Sequence, residues 1–579
     1  MARRSTERSS RRRWSWSWSR VSARREWISK SWSRARGGRE RARRSRSFGT
    51  SRSVRRSRSS ASPRSESERA FGCGRARNTP RLAAKWNGRW HRGGQSHWWP
   101  KRAPTSPSGC PRSPGCWGAR VVPDTAVASA ADAAMNAVVA DAVAGGAQLV
   151  RVEAPPGAGK TRLIKRMVAA ALESGESMMV AVQTNAQLID LAQGLADELT
   201  VGEVGVWPSG AAKDEYGKEL ARIGSSRRVR VLQKTKEVAD PLVVVAVAAK
   251  WAHHASVRRA NQRIDRRFQL GVVDEAYQMP AATLFRFGRL MERLALVGDP
   301  GQLDPFTEVD TARWDGLPAS AATPGPRAVD ALSDVEAVVH RLPASLRLDA
   351  RAARVVQRCF YPDLAFRAVS VEDDRALTLE RGEVAGATDE VLDLAAEHGW
   401  ALLELPRRLG PRDDDEVAGA LAGLAERLLS RNARVRATWP ETLRKGAPLR
   451  PESIAIATSH RDQRDRVLEA LSDEARGVVV DTANRLQGRE FDVLLAWHPL
   501  SGRLEASEFH LDTGRLCVMA SRHRQACVFV CRAGIGDALE DHQPSGHRPK
   551  GSRIDREHDG WVAHQRFFDA LSRHRVRSA

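Results

Sequence analysis

Glu153-Ala154-Pro155-Pro156-Gly157-Ala158-Gly159-Lys160-Thr161 is the stretch on which the fold turns. Before it, residues 148–153 read as a short strand. After it, Leu163, Ile164, Met167, Val168, Ala171 and Leu172 recur at helical spacing. A strand, a glycine-bearing turn and a helix begun by Lys-Thr is the context that a phosphate-binding (Walker A) loop requires. Gly157 and Gly159, with Ala158 between them, let backbone N–H groups turn inward around phosphate oxygens. The helix N-terminus adds its partial positive charge. Lys160 is placed to reach the β- and γ-phosphates of a bound nucleotide, and Thr161 to put its hydroxyl on Mg2+. Ala154 stands where the strict pattern has its first glycine. That position ends the strand rather than touching phosphate, so a methyl group is tolerated there.

Further along, Leu270-Gly271-Val272-Val273-Asp274-Glu275-Ala276 is an apolar run that ends in two acids. Two carboxylates at a strand end are costly unless something uses them. Downstream of a phosphate loop, Asp274 is the candidate to hold Mg2+ and Glu275 the candidate general base that polarises an attacking water.

Composition separates the chain into two unlike parts. Of its 579 residues, the first 120 carry 33 of the 94 lysines and arginines but only 5 of the 69 acids, an excess of +28, whereas residues 121–579 sum to −3. The overall charge of +25 is therefore a property of the tract, and is no sign that the body binds nucleic acid. Residues 1–120 are Arg/Ser/Gly-rich with almost no Leu, Ile or Val, so disorder is expected, although ten of the 17 tryptophans fall there. The favoured reading is upstream sequence translated from a misplaced start. A basic arm that stacks bases on its tryptophans and an inert tail are the other two. The seven cysteines are scattered and odd in number, which argues against a disulfide framework. Cys527 and Cys531 read as buried thiols on one strand face, and the spacing of His91, His97, Cys110 and Cys116 fits no common zinc pattern. No run approaches transmembrane length and no secretory signal is visible, so a cytoplasmic protein that does not engage a membrane is expected.

From about Val121 strand and helix patterns alternate, the mark of an α/β fold. Strands are expected at 178–182, 242–247, 270–273 and 294–297, and a second set at 454–457, 477–480, 493–496 and 527–531. Two sets in series predict two similar lobes: 121–345, with a small inserted subdomain near 200–240, and 346–535, with an insertion near 376–451. Residues 536–579 are expected to be a polar tail with one helix around 561–571.

The motifs resemble those of superfamily 1 helicases. Asp274-Glu275-Ala276-Tyr277-Gln278 resembles their DEAxQ box, and Gly298-Asp299-Pro300-Gly301-Gln302-Leu303-Asp304-Pro305 their motif III, in the GDPxQLxP form of the 5′-to-3′ branch. Val182-Gln183-Thr184-Asn185-Ala186-Gln187 is similar to motif Ia. Leu346-Arg347-Leu348, followed by Phe360-Tyr361-Pro362, resembles the family's YR segment with Leu346 for Tyr. The stretch from Asp481 to Asp492 holds a QGxExD pattern like motif V, and Arg515 to Arg524 resembles motif VI with Ser521 for Thr. The resemblance covers roughly residues 123–532 and rests on the order of the set.

It implies two tandem RecA-like parallel-sheet domains and an ATP hydrolase that uses Mg2+. Gln302 would sense the γ-phosphate. Arg347 and Arg522 would be arginine fingers reaching from the second lobe, while Gln487, Gly488 and Glu490 would line the cleft and Thr184 and Asn185 would contact the nucleic-acid backbone. The partner implied is a single strand, DNA rather than RNA, along which the protein moves as a helicase or translocase. An ATPase that remodels nucleoprotein without unwinding, and a nucleotide-dependent switch or scaffold, are the competing readings.

Overall fold

The computed structural model describes residues 124–578, apart from 260–261, 306–311, 315–316, 333, 335, 381–385, 411, 439–445, 504, 543 and 545–555. The basic tract 1–120, with its tryptophans and its His91, His97, Cys110, Cys116 set, lies outside the described residues.

The first lobe is built on eight strands: β1 (Leu149–Glu153), β2 (Met178–Val182), β3 (Val204–Val206), β4 (Val229–Val231), β5 (Val243–Val247), β6 (Phe268–Val273), β7 (Met291–Gly298) and β8 (Val338–Arg341). They pair in the order β4-β3-β5-β2-β6-β7-β1-β8, every neighbour parallel. Parallel strands are covered on both faces, which is why β5 is Val-Val-Val-Ala-Val and buried throughout. Val243, Val245 and Val247 point into one core with Leu163, Ile164 and Val180. Val244 and Ala246 point into another with Trp251, Phe268 and Val273. The segment expected as a subdomain near 200–240 is not separate: β3 and β4 extend the edge of this sheet, in register with β5 through Val204↔Val243 and Val206↔Val245.

Between the lobes the chain forms a small pair, β9 (Ala344–Ser345) and β10 (Arg367–Ala368), and then β11 (Arg375–Thr378). The second lobe's sheet contains β12 (Trp400–Leu405), β15 (Ile454–Thr458), β16 (Val479–Thr482), β17 (Phe491–Trp497), β18 (His523–Arg532) and β19 (Arg575–Arg577), all parallel, in the order β16-β15-β17-β18-β12-β19. β11 pairs with β13 (Arg434–Ala437) and β14 (Ala447–Pro448) in a separate antiparallel sheet.

Three expectations are corrected here. Residues 376–451 are not simply an insertion, because β12 lies inside the main sheet between β18 and β19. Residues 536–579 are not only a polar tail: β19 is the sheet's edge strand, and the helix Arg556–Leu571 buries Phe567 and Leu571 in the core. The two corrections share one cause. Glu404 interrupts the apolar run of β12 but is buried, paired with Arg577 at 3.0 Å and Arg575 at 3.5 Å, so the strand and the C-terminal segment neutralise each other's charge. Third, residues 125–144 are long and apolar enough to cross a membrane by length and composition. One side of that stretch (Val127, Ala131, Met135, Val138, Ala142) is buried in the protein, Met135 and Val138 in the first lobe's core. A smaller shift concerns the strand expected at 477–480. It runs from Val479 to Thr482 because Gly477 belongs to the turn before it, where Val478 donates to the Ala475 carbonyl.

Candidate active site at the cleft between two lobes

The carboxyl ends of β1, β6 and β7 adjoin in the sheet, and each delivers one piece of the site. At the end of β1, Ala154 is fully buried and donates its N–H to the Gly298 carbonyl at 2.9 Å, a strand-end role that has no need of glycine. Gly157 (φ +72°) and Gly159 (φ +86°) are left-handed, and Gly159 caps the helix Lys160–Ser174. Space is as demanding as torsion: a Cβ on Gly157 would lie 2.4 Å from the Cβ of Arg347. The loop is tied to the segment that joins the lobes. Ser345 Oγ donates to the Pro156 carbonyl at 2.7 Å, and Leu346 N–H to that of Gly157 at 2.8 Å. Ala158 is buried, and Thr161 presents an exposed side chain in the first helical turn.

At the end of β6, Lys160 Nζ meets Glu275 Oε1 at 2.9 Å. Glu275 has φ +48°, a conformation that costs a residue with a side chain about 1–2 kcal/mol and clusters at functional sites. Burial raises its pKa, but the charge and hydrogen bond of Lys160 prevail and hold it below the ordinary value. Asp274 behaves oppositely. Burial, and then the neighbouring Glu275, push it up to about 7, with Lys160 pulling only partly the other way. A buried carboxyl short of positive charge, at the end of the strand next to the phosphate-loop lysine's partner, has the chemistry that suits a divalent cation, with Asp274 and Thr161 as the candidate ligands for Mg2+.

At the end of β7, Asp299 accepts from Tyr361 Oη at 2.7 Å, from Gly301 N–H at 3.1 Å and from the Gln302 amide. The second lobe meets this loop directly. Gln302 Oε1 accepts from the guanidinium of Arg522 and, at 3.1 Å, from Gln487 Nε2. The approach is close: a Cβ on Gly514, in the helix leading to Arg522, would lie 2.7 Å from the Gln302 backbone. Burial and then Arg347 lower the Arg522 pKa to about 10, against the pull of Glu275. Arg347 itself donates to the Ser521 carbonyl at 3.0 Å and pairs with Glu490 at 2.6 Å. Arg524 also grips Glu490, at 3.0 Å. Burial alone would raise Glu490, but these two arginines hold its pKa at about 2.

Glu275, Gln302, Arg347, Arg522, Lys160, Gln487 and Glu490 therefore form one connected cluster. Arg347 is placed differently from expectation. Rather than reaching across from the second lobe, it stands in the joining segment with its Cβ against Gly157. Gly488 (φ +86°) faces the first lobe, its absent Cβ pointing 3.6 Å from Gln187 Nε2. Thr184 and Asn185 lie apart from the phosphate loop, at the end of β2. Thr184 Oγ1 caps its helix by accepting from Gln187 N–H at 3.2 Å, and Asn185 Oδ1 accepts from Ser209 at 3.0 Å, so both oxygens already have structural partners. Sequence reasoning missed Ser345, Tyr361, Arg524 and the role of Asp299. Asp299, Tyr361 and Arg524 carried a signal, by lying inside quoted motifs; Ser345 carried none.

Residues 132–313 match a family model described as an AAA domain, and residues 428–534 match a second model with the same description. No curated protein matches the chain in sequence. Among solved structures, the helicase of PRRSV is 13% identical over 70% of this chain and 56% of its own, with a TM-score of 0.32. An arterivirus nonstructural protein 10 helicase in complex with DNA is 13% identical over 69% and 65%, at 0.33. The Hef helicase domain of Pyrococcus furiosus is 10% identical over 70% and 96%, at 0.29. The chain thus spans less than two thirds of the viral helicases' own length. A phosphate loop, an acid pair and Arg522 from a second parallel-sheet lobe define the P-loop fold of two RecA-like domains. Within that class the ordered motifs resemble those of superfamily 1 helicases, and the two AAA-domain matches fall on the segments that carry them.

Proposed function

We propose that the chain hydrolyses ATP in the cleft between its lobes and uses the closing and opening of that cleft to move along single-stranded nucleic acid, DNA in preference to RNA. The observation that carries this reading is the convergence of Lys160, Glu275, Gln302, Arg347 and Arg522 from both lobes on one buried cluster. Lys160 binds the terminal phosphates and Glu275 orients and deprotonates the attacking water. Thr161 and Asp274 would hold Mg2+, which would supply positive charge to the phosphate oxygens. Arg522 and Arg347 exchange Gln302 and Glu490 for the charge that develops on the transferred phosphoryl group, a contribution worth roughly 10³–10⁵ in rate for such fingers. Since Gln302 touches both Asp299 beside the nucleotide and Gln487 on the second lobe, it is the joint through which phosphate occupancy alters the fit of the lobes. The test is the ATPase rate with and without single-stranded DNA and RNA, alongside Lys160→Ala. Stimulation by DNA above RNA, and loss of turnover in the variant, support the reading; normal turnover by Lys160→Ala refutes it.

A further inference from the structure

The carboxyl edge of the first sheet continues well beyond the cleft. Following the strand order away from the phosphate loop, the edge passes Asp299, Glu275 and the Thr184–Asn185 turn, then reaches Lys250 after β5, Trp207 and Ser209 after β3, and Gln233 after β4. Neighbouring contacts stitch this outer part together. Ser209 bonds Asn185 at 3.0 Å, Lys250 Nζ donates to the Pro208 carbonyl at 2.5 Å, and Lys213 Nζ donates to Gln233 at 2.5 Å. Lys250 also rests its ammonium 4.1 Å from the centre of the Trp207 ring, so its stem is fixed by packing rather than by an anion.

The charge on this edge is unbalanced. Among the described residues no carboxylate lies within ion-pair range of Lys250 or Lys213. Lys250 is half-buried, and burial together with the nearby Lys213 pulls its pKa down to about 8. Two ammonium groups held near each other without an acid are destabilising in the isolated protein. Such an arrangement gains stability when an external anion arrives. The row also begins at the Asn185 turn, where the backbone contact is expected.

We propose that Lys250 and Lys213 extend the single-strand site outward from Thr184 and Asn185, each contacting one backbone phosphate of the bound nucleic acid. This rests on the motor reading above and identifies where on the first lobe the strand leaves the cleft. The contact is to phosphate, so it adds affinity without sequence preference.

The experiment measures binding of fluorescent oligothymidylate and oligouridylate to the full chain from roughly 0.1 M to 0.5 M salt, for the unaltered protein, Lys213→Gln, Lys250→Met and the double variant. Each phosphate contact to a single strand contributes about 0.7 to the slope of log affinity against log salt. The double variant should therefore lose about 1.4 in slope and bind about 25-fold more weakly at 0.1 M salt, with the gap closing as salt rises. Lys213→Gln is partly exposed and safe for folding, and should lose about half that slope by itself; thermal midpoints check that all variants fold. A double variant with unchanged slope and affinity overturns the proposal while leaving the motor reading intact. Failure of the unaltered protein to bind either oligomer overturns the motor reading itself. Loss of polyglutamate binding in the double variant, with oligomer binding unchanged, assigns the edge to an acidic protein and overturns the proposal.

Discussion

Arg522 and Arg532 bracket a single strand, β18, and are buried almost equally, 2% and 1% exposed, yet their surroundings differ. Arg532 is matched. Asp414 takes it with two bonds of 2.8 and 2.9 Å, Glu416 adds a third at 2.5 Å, and these bonds hold its pKa above the ordinary value. Arg522 is not matched: its bonded partner is the neutral amide of Gln302, and burial with Arg347 nearby depresses its pKa. A buried cation with its full set of acceptors is structure. A buried cation left short of negative charge, facing a phosphate loop, is stored electrostatic attraction for a ligand.

Substitution should split the two arginines cleanly. Arg522→Ala is expected to lower kcat for ATP by about 10³ or more while the urea midpoint stays within experimental error of the unaltered chain, because no acid is orphaned. Arg532→Ala is expected to do the reverse. It strands Asp414 in the interior and should cost about 3 kcal/mol of unfolding free energy, read by urea denaturation, while kcat per folded molecule changes less than about threefold. Equal losses of stability in the two variants would erase the distinction.

How far the sequence carried the fold depended on charge as much as on hydrophobicity. β5 was legible because five consecutive apolar residues admit only a buried strand. β12 was not, because Glu404 breaks its run and the arginines that neutralise it lie 171 and 173 residues away in β19. The phosphate-loop and acid-pair positions were legible because each sits at a strand or helix end with a fixed neighbourhood, whereas Arg347 and Arg522 were picked out only through the motifs around them. The tie from Ser345 and Leu346 to the loop backbone was not, since main-chain partners leave no mark in residue identity. Thr184 shows a further limit: a threonine that caps a helix, as this one does, reads alike whether or not it also meets a ligand.

The two acids of β6 sharpen the comparison within the first lobe. Asp274 has its pKa raised in the fold, from 3.8 to about 7, so the folded state binds its proton more tightly than the unfolded state does. Its penalty is absent below pH 3.8, grows as pH rises towards 7 and is constant above. Asp274→Asn should therefore be more stable than the unaltered chain at pH 8 without Mg2+, and the advantage should shrink when Mg2+ and ATP are added, as read by thermal midpoint. An asparagine variant less stable at pH 8 would show that the carboxylate is better solvated than its burial implies.

The smallest effect belongs to Glu490, the acid that holds Arg347 in place. Its pKa falls from 4.5 to about 2 in the folded chain, so its contribution to stability is present in full above pH 4.5 and is lost as pH drops towards 2. Part of its side chain meets solvent, which screens the pair and keeps the effect modest. Between pH 5 and 3 the unaltered chain should lose stability to urea more steeply than Glu490→Gln, because the glutamine has no proton to gain. Loosening Arg347 should also show at neutral pH, as a change in kcat without a matching change in the KM for ATP. Parallel acid limbs for the two proteins would mean that Arg347 and Arg524 are held by their other partners, and that Glu490 is a bystander to the finger it touches.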